Sequence, residues 1–232
     1  MQKTVNVTHI IEKFSEKVKP YNWGILDYFM NRLEFIMLTE SLAQENNLGY
    51  RFTPRYIDVF NGIINCPPTD VKVMIIGQDP YPQPGVADGI AFSCSKTGKE
   101  QPSLTQIFDK VEKLYPEGYD RDPNLLRWCR QGVVMINSAL TCRVNEVGSH
   151  YHIWKEFMAF FLGYMNKLHP DCITVLMGKK ARNLQEYLPN HKIIKVSHPA
   201  SAVYNGGNWD DKDLFRTVNK MLVDIAKEPI KW

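Results

Sequence analysis

Cysteines are few in this sequence and lie far apart. No two of them form a C-x-x-C pair, and the five are Cys66, Cys94, Cys129, Cys142 and Cys172. A zinc ribbon, an iron–sulfur cluster or a disulfide framework needs closely spaced or regularly paired cysteines, so none of these sites is expected. Reduced thiols are typical of intracellular proteins. We therefore expect an intracellular protein, in the cytoplasm, or in the nucleus if its source is eukaryotic or viral.

Long hydrophobic runs are also missing. The segment 1–19, MQKTVNVTHIIEKFSEKVK, has no apolar stretch of signal-peptide length, and no later stretch approaches the roughly 20 apolar residues of a membrane span. We therefore expect neither export by a signal peptide nor insertion into a membrane. Internal repeats and Ser/Gly-rich linkers are absent as well, so the 232 residues are expected to form one structural domain.

Three common catalytic motifs do not occur. The missing G-x-G-x-x-G, H-E-x-x-H and G-x-S-x-G patterns argue against a dinucleotide cofactor, a compact metal site and a serine triad. Charge of one sign does not dominate either, since 28 Lys and Arg residues against 25 Asp and Glu residues give a net charge of +3. This balance permits nucleic-acid binding through a local basic face without indicating it.

The sequence does contain short, β-branched apolar runs. The clearest extends from Val71 to Ile76 and ends at Gly77, and similar runs cover residues 133–136, 173–177 and 193–196. Such runs are typical of strands buried on both faces of a parallel sheet. Because helical patterns separate them, we predict a three-layer α/β/α fold with a central four-stranded parallel twisted sheet in a single domain.

Helical patterns surround these strands. Apolar residues from Leu26 to Met37 follow the spacing of one helical face and predict a helix that packs on the sheet. Thr53-Pro54 is typical of the start of another helix. Ser103 is expected to cap the helix that follows it.

Polar residues follow three of the predicted strands. Asp79, Asn137 and His198 each lie at or just beyond the carboxyl end of a strand. The carboxyl ends of parallel strands meet at one edge of the sheet, where ligands bind, so the three side chains are expected to converge. Each has an ordinary alternative role, as a turn former, a cap on the end of the sheet and a loop histidine, respectively. Only their convergence predicts a site.

Several further motifs occur in register with these residues. They are Gly77-Gln78-Asp79-Pro80-Tyr81, Gly89-Ile90-Ala91-Phe92-Ser93, Pro102-Ser103-Leu104, Gln131 to Asn137 with Leu140-Thr141, Ser149-His150 with Trp154, and His198-Pro199. In order and spacing this set resembles the family-1 uracil-DNA glycosylases, from about Arg51 to the C-terminus. The resemblance implies that residues 51–232 form the catalytic core and that residues 1–50 form an N-terminal helical extension packed on it.

The resemblance implies hydrolysis of the bond between uracil and deoxyribose in DNA, without a metal or an organic cofactor. Asp79 would orient and activate the attacking water, and His198 would donate a hydrogen bond to the uracil carbonyl as the base departs. The uracil pocket would be formed by Gln78, Tyr81, Phe92 and Asn137.

Residue chemistry agrees with these assignments. The Asn137 amide can accept from uracil N3–H and donate to O4, a pattern that cytosine reverses. Thymine presents the same edge as uracil, so its methyl group must be excluded sterically, and the resemblance places Tyr81 there. Phe92 would stack on the base. Taken alone, both aromatic residues are more typical of a hydrophobic core.

The resemblance also implies contacts to the DNA strand. The matching positions are Pro102, Ser103, Gly178, Lys179, Ser201, Ala202, Val203 and Tyr204. Lys179 and Lys180 could equally be a solvated surface pair. The implied partner is uracil-containing DNA, single- or double-stranded, bound by a monomer. A protein inhibitor and a replication partner are left open.

Two loops in the first half of the chain, at Pro82 and at Gln101-Pro102-Ser103, depart from the family pattern. Pro82 stands where the family usually has a His after the Tyr, so any contact made by that His is lost. The family's proline-rich loop is reduced to Gln101-Pro102-Ser103, which could loosen its grip on the DNA backbone.

A third departure follows His198-Pro199. The family usually continues with Ser-Pro-Leu, whose Leu fills the gap that the extruded base leaves, but here Ala202 is too small for that role. Either Val203 or Tyr204 replaces the Leu, or the enzyme acts best on single strands, from which a base is extruded easily. We therefore expect activity on single-stranded DNA to exceed that on duplex DNA by more than is usual.

Two other functions are considered. A DNA-binding replication accessory could be built on a glycosylase fold, with catalysis secondary, although the intact Asp79 and His198 disfavour this. A mismatch or thymine glycosylase is disfavoured by Tyr81 and Asn137.

Overall fold

The computed structural model describes residues 6–232, and the residues 1–5 of the expected N-terminal extension lie outside the described part. The α-helices are α1 (Val7–Val18), α2 (Gly24–Met30), α3 (Leu33–Asn47), α4 (Asn61–Ile64), α5 (Pro102–Val111), α6 (Leu126–Cys129), α7 (Tyr151–Leu168), α8 (Lys179–Arg182) and α9 (Leu214–Asp224). The strands are β1 (Phe52–Thr53), β2 (Val73–Gly77), β3 (Val133–Asn137), β4 (Cys142–Arg143), β5 (Ile173–Met177) and β6 (Lys192–Val196). No helix within residues 6–232 is long and apolar enough to cross a membrane.

Four strands form one parallel sheet in the order β3-β2-β5-β6. Gly77 at the end of β2 pairs with Asn137 at the end of β3, and Met177 of β5 pairs with Val196 of β6. The strands therefore end together at one edge, which confirms the predicted four-stranded parallel sheet. The sequence does not predict the antiparallel pair of β1 and β4, because these strands have only two residues each.

Alternate residues of the central strands face opposite sides of the sheet. Val73 and Ile75 belong to one buried hydrophobic cluster, and Met74 and Ile76 belong to another. Helices α5, α6 and α9 cover the first side, and the remaining helices cover the second. Because both faces are covered, the strands are apolar throughout, and the fold is the predicted three-layer α/β/α arrangement.

The N-terminal helices pack on the same side of the sheet as α7. The ring of Phe14 in α1 lies 5.1 Å from that of Phe60, and the ring of Phe29 in α2 lies 5.2 Å from that of Phe157 in α7. Both pairs meet edge to face, which favours aromatic contacts. These residues share one hydrophobic core with the sheet, while the division at residue 50 into an extension and a catalytic core stays a prediction.

Two helix predictions are wrong. The expected helix from Leu26 to Met37 is interrupted between α2 and α3, and Leu33 and Met37 are 67% and 57% exposed. Leu33 and Met37 lie on α3, which buries a different side, including Phe35 and Leu38. The helix expected after Thr53-Pro54 is reduced to a short 3₁₀ turn followed by α4, because Thr53 pairs with Cys142 in the antiparallel strand pair.

Candidate active site

A cavity of about 480 Å³ opens where β2, β3 and β6 end. The predicted site residues that line it are Gln78, Asp79, Tyr81, Phe92, Ser103, Asn137 and His198. The common edge of the parallel strands thus brings together side chains that are far apart in the sequence.

Both carboxylate oxygens of Asp79 accept a hydrogen bond. Oδ1 accepts from the backbone N–H of Gly148 at 3.0 Å, and Oδ2 accepts from the hydroxyl of Tyr151. The two donors come from the short segment that precedes and opens α7. Each carboxylate oxygen has two lone pairs, so Asp79 keeps acceptor capacity for a water or substrate.

Burial and the neighbouring groups have opposite effects on the pKa of the Asp79 carboxyl. Burial raises the pKa of the Asp79 carboxyl above its usual value, while the Tyr151 hydroxyl, the Gly148 N–H and the Lys180 ammonium oppose that rise. Lys180 lies 4.5 Å from the centre of the Tyr151 ring and also lines the cavity. A carboxylate with a raised pKa is a better proton acceptor near neutral pH, which suits a general base.

His198 presents a neutral imidazole to the cavity. Burial lowers the pKa of His198 to about 4, and its Nδ1 accepts the backbone N–H of Ala200 at 3.2 Å. A neutral imidazole carries one proton, so this proton resides on Nε2. His198 can therefore donate one hydrogen bond without carrying a charge.

The Asn137 amide closes the inner end of the cavity. It is 9% exposed, and no other side chain of residues 6–232 pairs with its amide group. Gly77 makes room for it, because a Cβ atom on Gly77 would lie 2.4 Å from Asn137 Oδ1 and 3.1 Å from the Phe92 ring. The buried amide is thus free to read the hydrogen-bonding edge of a ligand.

Phe92 is held in an unusual backbone conformation. Its φ angle is 67°, a left-handed value that few large side chains adopt. The buried Asp88 carboxylate fixes the surrounding loop by accepting from the Ile90 N–H at 3.1 Å and from the Ser93 hydroxyl at 2.6 Å. The loop places the Phe92 ring 5.6 Å from the His198 ring. Strain of this kind is typical of binding sites.

Tyr81 and Gln78 line the other walls. The Tyr81 hydroxyl donates to the Phe92 carbonyl at 3.0 Å, which fixes the edge of the Tyr81 ring relative to Phe92. Gly178, with a φ of 93°, lies behind Gln78 and His198, and a Cβ atom there would approach each of them to 3.0 Å. The absence of a side chain at Gly178 therefore leaves room for Gln78 and His198 at the cavity wall.

Residues predicted to contact DNA lie in different settings. Pro102 and Lys179 are exposed, whereas Ser103 is 7% exposed and lines the cavity. The prediction that Ser103 caps α5 is wrong, because α5 already begins at Pro102 and Gln101 occupies the N-cap position. The Ser103 side chain is thereby directed to the cavity instead.

The segment after Pro199 forms a 3₁₀ helix, Pro199–Tyr204. Val203 and Tyr204 are 75% and 88% exposed, and the Ser201 hydroxyl is buried without a partner among the described residues. Ala202 is 4% exposed and packs into the core. The side chain of Ala202 therefore does not reach the surface, and its contact to DNA stays a prediction.

Sequence reasoning assigned no role in this site to Asp88, Gly148 and Tyr151. It named Gly77 only as part of a motif and Lys180 only as one of a pair of lysines. Gly148 and Tyr151 flank the Ser149-His150 motif, and this proximity is the only signal that points to them. Within residues 6–232, no group of three or more His, Cys, Asp and Glu side chains could hold a metal ion.

The chain is similar to known proteins over most of its length. Residues 64–223 match the family model described as the uracil DNA glycosylase superfamily. The uracil-DNA glycosylase of Clostridium beijerinckii is 32% identical over 209 residues, covering 89% of each chain. That of Phocaeicola vulgatus is 33% identical over 202 residues, covering 85% of this chain and 90% of the relative.

Solved structures give the same picture. The crystal structure of mimivirus uracil-DNA glycosylase superposes with a TM-score of 0.84 at 27% identity, covering 99% of this chain and 90% of the other. A mimivirus UNG Y322L variant in complex with UGI superposes equally well, with a TM-score of 0.84 at 27% identity over 99% and 91% of the two chains.

Proposed function

The chain belongs to the uracil-DNA glycosylase superfamily, and from this membership we propose how its cavity removes uracil from DNA. The protein is a monofunctional uracil-DNA glycosylase of base excision repair. It hydrolyses the N-glycosidic bond, releases free uracil and leaves an abasic site. The observation that supports the residue roles best is the convergence of Asp79, Asn137 and His198 on one cavity.

The reaction begins with extrusion of the nucleotide. The bond between uracil and its sugar cannot be reached within a duplex, so the nucleotide must rotate out of the stack. The cavity of about 480 Å³ has the size and the apolar walls expected of a pocket for a small ligand. Phe92 stacks on the extruded base, a contact that contributes about 1–3 kcal/mol in other base–aromatic pairs.

Asp79 acts on the sugar side of the bond. As a carboxylate it orients a water, accepts a proton from it and stabilises the positive charge that develops on the sugar. The hydrogen bonds from Gly148 and Tyr151 fix the carboxylate plane, so the water meets a preorganised acceptor.

His198 acts on the base side. The uracil carbonyl gains negative charge as the bond breaks, and the Nε2–H of neutral His198 donates to it. The Ala200 N–H on Nδ1 holds the ring in this tautomer. Because burial lowers the pKa of His198 to about 4, the ring is neutral at neutral pH and has no second, acidic proton to give to the base. The residue therefore stabilises charge through a hydrogen bond.

Selectivity for uracil over cytosine and thymine follows from the side chains that line the cavity. The Asn137 amide pairs with uracil N3–H and O4, and cytosine would leave both buried groups without partners, which discriminates by about ten-thousand-fold or more in comparable sites. Tyr81, fixed by its bond to the Phe92 carbonyl, stands against the 5-methyl group of thymine. Gln78 completes the wall of the pocket.

The proposed contacts to the DNA strand come from the start of α5, the start of α8 and the 3₁₀ helix after His198. We assign phosphate contacts beside the extruded nucleotide to Ser103 and Ser201, and backbone contacts to Pro102, Gly178 and Lys179. Val203 and Tyr204 are the exposed side chains that could enter the gap in the duplex. Since neither is a Leu on an extended loop, excision from single-stranded DNA should exceed that from duplex DNA by more than is usual.

Several wider features belong to the same proposal. The protein acts as an intracellular monomer, and residues 1–50 extend a catalytic core of residues 51–232. A mimivirus relative is described in complex with UGI, which supports the proposal that this chain can bind a protein inhibitor.

Uracil release from single- and double-stranded oligonucleotides tests the assignments. The wild type should release uracil, Asp79→Asn should lose most of the activity, and His198→Ala should be slower by roughly a hundred- to a thousand-fold. A DNA-binding replication accessory would bind the oligonucleotides without releasing base in any of the three proteins. Equal wild-type turnover of matched single and double strands would contradict the expected strand preference.

A further inference from the structure

Tyr151 opens α7 and contacts the Asp79 carboxylate directly. Its hydroxyl donates to Oδ2, while the backbone N–H of Gly148 donates to Oδ1 at 3.0 Å. Within residues 6–232, Tyr151 is the only side chain that donates a hydrogen bond to Asp79. The Tyr151 hydroxyl therefore fixes Oδ2, the oxygen of Asp79 to which no backbone N–H in the described part of the chain donates.

The position of Tyr151 is itself held firmly. The preceding His150 is fully buried, its Nδ1 lies 2.8 Å from the Thr141 hydroxyl, and the Trp154 indole donates to the same hydroxyl at 2.7 Å. On the other side, the Lys180 ammonium lies 4.5 Å from the Tyr151 ring centre, which is a favourable cation–π distance. The phenol is thus placed by a rigid helix start, and it can hold Asp79 at a fixed angle.

We propose that Tyr151 is a positioning residue for uracil excision, whose hydroxyl holds Asp79 ionised and oriented toward the attacking water. The inference rests on the proposed role of Asp79 as the catalytic carboxylate. A donated hydrogen bond stabilises the charged form of a carboxylate relative to the protonated form. Each oxygen still has a lone pair free for the water, so the phenol orients the carboxylate without blocking it.

The charged and titratable groups around Asp79 come from three elements. Tyr151 of α7 donates the hydrogen bond, Lys180 of α8 adds a positive charge, and the Cys142 thiol of β4 is buried and neutral, since burial raises the pKa of Cys142 to about 12. Burial alone would favour a protonated Asp79. Among these groups, only Tyr151 opposes burial through a direct hydrogen bond to the carboxylate.

The test compares wild type, Tyr151→Phe and Tyr164→Phe. Tyr164 lies on the same helix outside the cavity, so its variant controls for loss of a hydroxyl from α7. The kinetic parameters kcat and KM for uracil release from a single-stranded oligonucleotide are measured from about pH 5 to about pH 9. Thermal unfolding of each variant verifies that the fold is retained.

Removal of the hydroxyl should move the acid limb of the kcat profile of Tyr151→Phe upward by about one to two pH units. At pH values below the acid limbs of both proteins, kcat of Tyr151→Phe should therefore be roughly tenfold to a hundredfold lower than that of the wild type. At the alkaline plateau it should be within a few-fold of the wild type. KM and the profile of Tyr164→Phe should not change. An unshifted limb, with or without a constant loss of rate, would overturn the proposal, and so would a rise in KM at unchanged kcat.

A second measurement does not depend on activity. The carboxyl carbon of Asp79, labelled with ¹³C and identified with Asp79→Asn, is titrated by NMR in wild type and in Tyr151→Phe. An upward shift of the Asp79 titration in the variant supports the role of Tyr151, and coincident titrations contradict it. If the wild type released no uracil, the proposed function would fail, but this titration would still decide whether Tyr151 holds Asp79 ionised.

Discussion

Gly77 and Asn137 are paired at the ends of adjacent strands, and the side chain of Asn137 occupies the space that a Cβ atom on Gly77 would need. That Cβ atom would lie 2.4 Å from Asn137 Oδ1. The position of the Asn137 amide, which we propose reads the base, therefore depends on the absence of a side chain at Gly77 on the adjacent strand.

Gly77→Ala should displace the Asn137 amide and the Phe92 ring. Misplacement of a binding group by about 1 Å can cost about a hundredfold in rate, so kcat/KM for uracil release should fall by at least roughly that factor. Gly163→Ala is the control, because Gly163 lies within α7 with open space around its Cβ position. If Gly77→Ala kept the wild-type kcat/KM, Asn137 could not depend on this space.

Replacement of Tyr81 should separate its two functions. Tyr81→Ala removes the ring that we propose excludes the 5-methyl group, so this variant should release thymine from T-containing oligonucleotides. Tyr81→Phe keeps the ring but loses the bond to the Phe92 carbonyl, so it should still reject thymine while excising uracil somewhat more slowly. Retained thymine rejection by an active Tyr81→Ala would show that another residue forms the wall.

Tyr204 should matter for duplex substrates only. It is 88% exposed at the end of the 3₁₀ helix after His198. If its ring stacks in the gap left by the base, Tyr204→Ala should slow excision from duplex DNA about tenfold and leave excision from single strands within about twofold. Val203→Ala serves as the neighbouring control. A larger loss for Val203→Ala than for Tyr204→Ala would assign the wedge to Val203.

The stability of the protein should fall in mild acid because of His150. Burial lowers the pKa of the fully buried His150 to about 4, from a usual value of 6.5. Below about pH 6.5, His150 binds a proton in the unfolded chain but not in the folded chain, so folding stability is lost as the pH falls toward 4. This single group contributes at most about 3 kcal/mol of that loss.

Urea denaturation at several pH values measures this effect. His150→Gln should unfold more easily at neutral pH but should lose less further stability between about pH 6.5 and about pH 4. His152→Gln, at the exposed neighbouring position, should follow the wild-type curve. Parallel curves for wild type and His150→Gln would assign the acid sensitivity to other groups.

The sheet and the strand-end residues could be predicted from sequence because their signals are local. Runs such as Val133 to Ile136 are apolar as a consequence of burial on both faces, and the topology alone then places Asp79, Asn137 and His198 at one edge. The pocket walls Tyr81 and Phe92 lie close to these strand ends in the sequence. Their predicted roles rest on the family motifs.

The rest of the site depends on contacts that no local pattern encodes. Tyr151 reaches Asp79 across 72 sequence positions, and Asp88 acts on Phe92 through a loop without regular structure. The break between α2 and α3 is hidden for a related reason, since the exposed Leu33 and Met37 imitate the spacing of a buried face. In each case tertiary packing, rather than sequence periodicity, decides the outcome.

All five cysteines are buried and free of disulfides, which makes the natural chain a ready background for chemical labelling. Burial also raises the pKa of each buried thiol, as with Cys129 at about 12, so maleimides should react with them slowly. A cysteine introduced at the exposed position 203 could then carry a fluorophore without removal of the natural thiols. Quenching of such a dye on DNA would report docking of the 3₁₀ helix in real time, separately from base release.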